Sequence, residues 1–152
     1  IKFKLVIAGK GRWHSKVNKW IKRFDLDAIT QRLDWVSNHD RDDFIDAMDI
    51  FCLPSRNETF GMVVIEAMAR QRLVVATRCG GPQGIIAHQE NGLLCEINAE
   101  SLADSLAQAL TLKAEDYQSM CEAAYRTARD QYSPSVVRQQ IAAMLKQYVM
   151  PT

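Results

Sequence analysis

The sequence predicts an α/β fold: a Rossmann-like parallel sheet in three layers, with helices on both faces and a helical C-terminal segment. Two observations carry this expectation. Strand-like and helix-like patterns alternate from residue 3 to residue 98, which is the signature of parallel strands joined by crossover helices. Glycine-bearing or polar loops follow the first, third and fourth strand patterns, the edge where such sheets bind ligands. The chain of 152 residues is 47% hydrophobic and 24% charged, enough for one domain over 1–152 with a full core.

Each element has a local reason. KFKLVIAG reads as a buried strand ending at Gly9. Val17, Trp20, Ile21 and Phe24 then recur at helical spacing behind Ser15, an N-cap candidate. RLDWVS reads as a short strand, and the acids of DRDDFIDAM crowd the first turn of a helix, where its dipole favours them. DIFCLPS is a strand stopped by Pro54, and GMVVIEAMA is a helix apolar almost all round. The strand LVVAT, the loop RCGGPQG, a short helix and the strand GLLCEI complete the alternation. Beyond residue 98 the pattern is helical. Leu102, Leu106 and Leu110 line one helix, and Tyr117, Met120, Cys121, Ala124 and Ala128 line the next. Ser133-Pro134 opens the last, with Val137, Ile141, Leu145 and Tyr148 facing inward.

Composition narrows the function. Net charge is +1 and the basic residues read as scattered, so neither nucleic acid nor an anionic membrane surface is indicated. No apolar run reaches membrane-spanning length and no signal peptide opens the chain. Cys52, Cys79, Cys95 and Cys121 stand far apart in apolar segments, as reduced cytosolic cysteines do, and His14, His39 and His88 share no metal-ligand spacing with them. A chain already entering a strand at Ile1 is expected to be a piece of a longer protein.

Chemistry is expected in three loops. GKGRWH carries two glycines of a dinucleotide fingerprint, with His14 in place of the third and no acid closing the next strand. Gly9 and Gly11 either approach a phosphate or make a tight turn; Arg12 either neutralises a leaving group or is a surface arginine. In SRNETFG, Gly61 opens the apolar helix, and amides at a helix N-terminus form an anion site over Thr59, Phe60 and Gly61. Glu66, inside that helix, is placed to accept hydrogen bonds from a ribose diol, and Glu58 to reach a sugar. Spacing alone favours ion pairs of Glu66 with Arg70, Arg12 or Arg78, and a solvated loop acid at Glu58.

PSRNETFGMVVIEAMA resembles the glutamate-x7-glutamate signature of retaining glycosyltransferases with the GT-B fold, of the family 4 type. LVIAGKG, MDIFCLPS, VVATRCGGPQGII and NGLLCEI resemble that family's neighbouring blocks, in order, over residues 3 to 112. The resemblance implies the C-terminal donor-binding half of a two-domain enzyme. Glu66 would take the ribose, and Glu58 the donor sugar as the catalytic residue. Thr59, Phe60, Gly61, Met62 and Val63 would line the diphosphate and sugar, Gly9, Gly11 and Arg12 would add to the donor site, and Trp35, Val36 and Ser37 would lie beside the base. It further implies a nucleotide-diphosphate sugar as donor substrate, no cofactor and no metal. The acceptor would be a glycan or lipid-linked sugar held by a missing N-terminal domain, as in polysaccharide or lipopolysaccharide biosynthesis. The site would be cytoplasmic, up to the cytoplasmic face of the membrane. No nucleic-acid partner and no transmembrane segment are expected.

The departures are specific. The Arg and Lys turn that the family places after an earlier strand precedes this chain. Ser37 replaces a usual Gly, Gln71 and Leu73 replace the Gly and Pro that end the signature helix, and Gly84 stands where a Glu usually follows the GG pair. Three other readings stay open: a non-hydrolysing sugar-nucleotide epimerase, a non-catalytic sugar-nucleotide-binding module, and a receiver-type signalling domain. The last lacks the acids it needs, having AGK and LPS at the strand ends.

Overall fold

The computed structural model describes residues 2–148, the side chain of Tyr148 excepted. Its elements, in chain order, are β1 (Leu5–Ala8), α1 (His14–Arg23), a turn of 3-10 helix (Asp27–Ile29), β2 (Thr30–Leu33), α2 (Arg41–Asp46) and β3 (Ile50–Leu53). There follow α3 (Met62–Ala69), β4 (Leu73–Thr77), α4 (Gly81–Ile85), β5 (Leu93–Cys95), α5 (Ala99–Thr111), α6 (Ala114–Tyr132) and α7 (Pro134–Tyr148). All strand pairs among these elements are parallel, so the expected α/β class holds. Two compact units are distinguished, residues 1–44 and 45–152.

In the first unit β1 pairs with β2, from Leu5 opposite Thr30 to Ala8 opposite Leu33. β1 was expected to be buried, yet Val6 and Ala8 are exposed; a two-stranded ribbon has too few neighbours to cover both faces. The second strand ends at Leu33, not at Ser37. The Gly9 amide donates to the Leu33 carbonyl at 2.9 Å and closes the ladder, so Trp35, Val36 and Ser37 lie in the loop beyond. Ser15 is not the N-cap of α1. The chain turns on a bond from the His14 amide to the Gly11 carbonyl, 3.0 Å, and the cap position falls on Trp13, without a capping side chain. Of the apolar stripe on α1, Ile21 alone is fully buried. Nor are the basic residues evenly scattered: eight of the 19 fall before β1, in the loop after it and on α1, where no acid precedes Asp25.

The second unit is ordered β3-β4-β5. Every residue of the central strand β4 is buried, as a continuous apolar run requires of a parallel strand covered on both faces. Leu73, Val75 and Leu93 form a core with Ala109 of α5 and with Met120 and Cys121 of α6, joined by Leu102, Leu106 and Tyr117 at its edge. The α6 face is the expected one. On α5 the centre of the contact falls on Ser105 and Ala109, with Leu102 and Leu106 flanking it. The α7 expectation is corrected: Val137, Ile141 and Leu145 are 37%, 47% and 55% exposed. Pro134 does begin the helix behind Ser133, but α7 packs chiefly on α6 and leaves this stripe open. Its fourth expected member, the Tyr148 side chain, lies outside the described residues, as does Ile1.

The helix α3 keeps a regular end without the family's glycine. Gln71 itself adopts the left-handed conformation, φ 55°. Its amide bonds the Met68 carbonyl and the Arg72 amide bonds the Ala67 carbonyl, each at 3.0 Å. That pair of bonds is the Schellman motif, built here on a residue with a Cβ.

Candidate functional site

The site is built where β3 and β4 end. The loop after β3 runs from Pro54 to Gly61, and the loop after β4 from Arg78 to Gly80. Glu58 joins them through its backbone: its amide donates to the Cys79 carbonyl at 3.1 Å and its carbonyl accepts from the Gly81 amide at 2.7 Å. This approach is the reason for the glycine pair. Gly80 has φ 114°, and a Cβ there would stand 2.8 Å from the Glu58 carbonyl oxygen. A Cβ on Gly81 would fall 2.2 Å from the Phe60 carbonyl oxygen. Below them the buried Thr77 hydroxyl donates to the Ser55 carbonyl. Gln83 accepts the Gly80 amide through Oε1 at 3.0 Å.

With its backbone held on both sides, Glu58 leaves a half-exposed carboxylate whose Oε1 lies 3.4 Å from the Phe60 amide. Thr59 and Phe60 are exposed beyond it. The Phe60 ring meets the edge of Tyr132 from α6, with centroids 6.0 Å apart and planes at 72°, and the Tyr132 hydroxyl donates to the Gly84 carbonyl at 3.5 Å. Gly61 turns the chain into α3 at φ 96°, a conformation glycine adopts without a Cβ penalty. The first amide to bond back to Gly61 is that of Val64, at 2.9 Å. The amides of Gly61, Met62 and Val63 therefore precede the first turn and point out of it.

The position of Glu66 answers why an acid interrupts an apolar run. α3 is not buried all round, as its composition suggested. Val64, Ile65, Ala67 and Met68 face the core, whereas Met62 and Ala69 are exposed on the opposite arc. Glu66 is one turn beyond Met62 on that open arc, half-buried, with Oε2 turned away from solvent. Of the arginines read as ion-pair partners, Arg78 pairs with Glu96 at 3.2 Å; Arg70 reaches Asp46 among other contacts, and Glu66 is itself engaged. The structure thus brings Glu58, Thr59, Phe60, Gly61, Met62, Val63 and Glu66 together around the start of one helix.

The remaining candidates belong to the first unit. Gly9, at φ 124°, and Gly11 form the loop after β1. Arg12 is exposed and its guanidinium stacks over Trp13 at 5.4 Å. That loop is tied to the one after β2 by Lys10 and Asp34, 3.5 Å apart. In the second loop Trp35 is 80% exposed. Ser37 donates to the Asp40 carboxylate at 2.6 Å and accepts the Asp40 amide at 3.1 Å. The hydroxyl bond from Ser37, with one from His39, holds the Asp40 carboxyl below the usual aspartate range. Sequence reasoning missed Gly80, Gly81, Gln83 and Tyr132. The GG pair was the available signal for the first two; nothing in the pattern marked Tyr132.

These features define an α/β fold with parallel strands, and the candidate residues lie beyond the carboxyl ends of those strands, where such folds bind ligands. Residues 1–127 match the model of the glycosyl transferases group 1, and the chain belongs to that family. It is 41% identical over 80 residues to a D-inositol 3-phosphate glycosyltransferase of Corynebacterium urealyticum, covering 52% of this chain and 18% of that one. A glycosyltransferase from Rickettsia africae superposes with a TM-score of 0.88 at 23% identity, over 99% of this chain and 41% of that one. Anabaena HepE, solved in complex with UDP, gives 0.85 at 22% identity, over 95% and 41%. The chain therefore spans about a fifth of the first relative and two fifths of the solved structures. Among the described residues no helix is long and apolar enough to cross a membrane.

Proposed function

We propose that this chain is the donor-binding domain of a retaining glycosyltransferase, taking a sugar linked to a nucleoside diphosphate. The observation that carries the reading is the open arc at the start of α3, where Glu58 and Glu66 flank outward-pointing amides. A carboxylate cannot bind phosphate but accepts two hydrogen bonds from a vicinal diol, so Glu66 takes the ribose and Glu58 the donor sugar. The amides of Gly61, Met62 and Val63, beside Thr59 and Phe60, receive the diphosphate. There the helix dipole favours the charge that grows as the sugar leaves. Trp35, Val36 and Ser37 enter this reading through the family resemblance alone, and Gly9, Gly11 and Arg12 as the glycine turn and cation of the loop after β1. A glycan or lipid-linked acceptor would be held by a further domain.

The family match and a fold shared with a UDP-bound neighbour support a nucleotide donor. A thermal-shift panel of nucleoside diphosphates tests it: at least one should raise the melting temperature, more than the matching monophosphate does. Stabilisation by none of them would reject the reading. The diphosphate is proposed to bind without a metal, so the shift should survive a chelator. A shift that appears only with magnesium or manganese would contradict this part.

A further inference from the structure

Residues 1–24 hold eight lysines and arginines and no acid, leaving 11 basic and 18 acidic residues in the rest of the chain. A small net charge hides this asymmetry, which points to an anionic partner. Helix α1 and the two residues before it give the asymmetry a shape. Trp13, Trp20 and Phe24 lie on one line of the helix, at i, i+7 and i+11, and are 53%, 44% and 63% exposed. Arg12, Lys16, Lys19 and Arg23 run beside them on a parallel line, at i, i+4, i+7 and i+11. The two lines interlock. The Lys16 ammonium sits over both Trp13, at 4.6 Å, and Trp20, at 5.0 Å, and the Arg23 guanidinium lies 5.8 Å from the Phe24 ring.

Exposed aromatic rings of this kind call for a partner that accepts apolar rings and cations side by side. The interface of an anionic bilayer does both: rings settle at the acyl boundary while lysine and arginine reach the phosphates. A nucleic acid fits less well, because base stacking needs a bare ring face and Lys16 covers two of them. We propose that α1 and its approach dock this protein on an anionic lipid surface, through Trp13, Trp20 and Phe24 with the flanking cations. The site at α3 is not involved.

Vesicle flotation of the full chain tests this, with phosphatidylcholine alone and with phosphatidylcholine mixed with phosphatidylglycerol. The chain should float with the mixed vesicles only, with a blue shift of tryptophan emission and a loss of binding at high salt. Removing one cation should lower partitioning about fivefold, and the double variant Lys16→Gln, Lys19→Gln about 25-fold on the same basis. Both side chains are exposed, so the variant should keep its circular dichroism. Phe24→Ser, a second route, should weaken binding without altering the salt dependence. Equal binding to both vesicle types, no binding to either, or tryptophan emission indifferent to bound vesicles would overturn the proposal. So would tighter binding to a single-stranded oligonucleotide than to the mixed vesicles.

Discussion

At the scale of single residues, the site depends on an approach of two backbones that only glycine permits. The Glu58 carbonyl accepts from the Gly81 amide at 2.7 Å, and the Phe60 carbonyl occupies the space where a Cβ on Gly81 would stand. Gly81→Ala should therefore push the loop of Glu58 to Gly61 away from α4. An overpacking of this kind costs about 1–3 kcal/mol, and more where backbone must move. A urea melt is expected to show a lower midpoint with an unchanged slope, and nucleotide binding should fall with it. A variant as stable as the parent would mean that the loops are not held together as described. Gly84 behaves differently. A Cβ there meets nothing within 4 Å, so the glutamate usual in the family is not excluded by crowding.

At the scale of elements, Gln71 shows how α3 manages without its usual terminal glycine. The Schellman bonds survive, and Gln71 adopts φ 55° to make them. A left-handed conformation costs a residue with a Cβ roughly 1–2 kcal/mol, part of which returns through the lower entropy of its unfolded state. Gln71→Gly should thus stabilise the chain by about 0.5–1 kcal/mol, read as a rise in the urea midpoint; a destabilised variant would contradict this account of the cap. Most elements were legible in sequence because each carried a local rule. Pro54 stops β3, Gly61 opens α3, LVVAT is a covered strand, and Ser133-Pro134 starts α7. What failed was whatever needed neighbours. The spacing of Val137, Ile141 and Leu145 specifies an apolar face but not that anything covers it. The wording of α3 was apolar enough to hide that one arc is open, which is the arc that places Glu66. Glu58 and Glu66 were singled out through the glutamate-x7-glutamate resemblance, where spacing alone favoured ion pairs, but the ring of Tyr132 was not, since its contact with Phe60 spans 72 positions of sequence.

At the scale of the molecule, the chain spans two fifths of the solved structures it superposes on, and transfer requires donor and acceptor held in a near-attack geometry. The chain alone is expected to bind a nucleoside diphosphate and to transfer no sugar. Transfer above background from donor and a crude acceptor extract would show that the catalytic unit has been misplaced. The claim at the centre of the account is that Glu66 holds a ribose diol, and calorimetry with ribo- and 2′-deoxyribonucleoside diphosphates tests it most directly. A charge-assisted hydrogen bond is worth about 1.5–3 kcal/mol, so the parent chain should prefer the ribose form by roughly 10- to 150-fold. Glu66→Gln should bind the ribose form more weakly, and its preference over the deoxy form should shrink to severalfold or less. A variant that discriminates between the two sugars as strongly as the parent would contradict the assignment and return Glu66 to a structural ion pair.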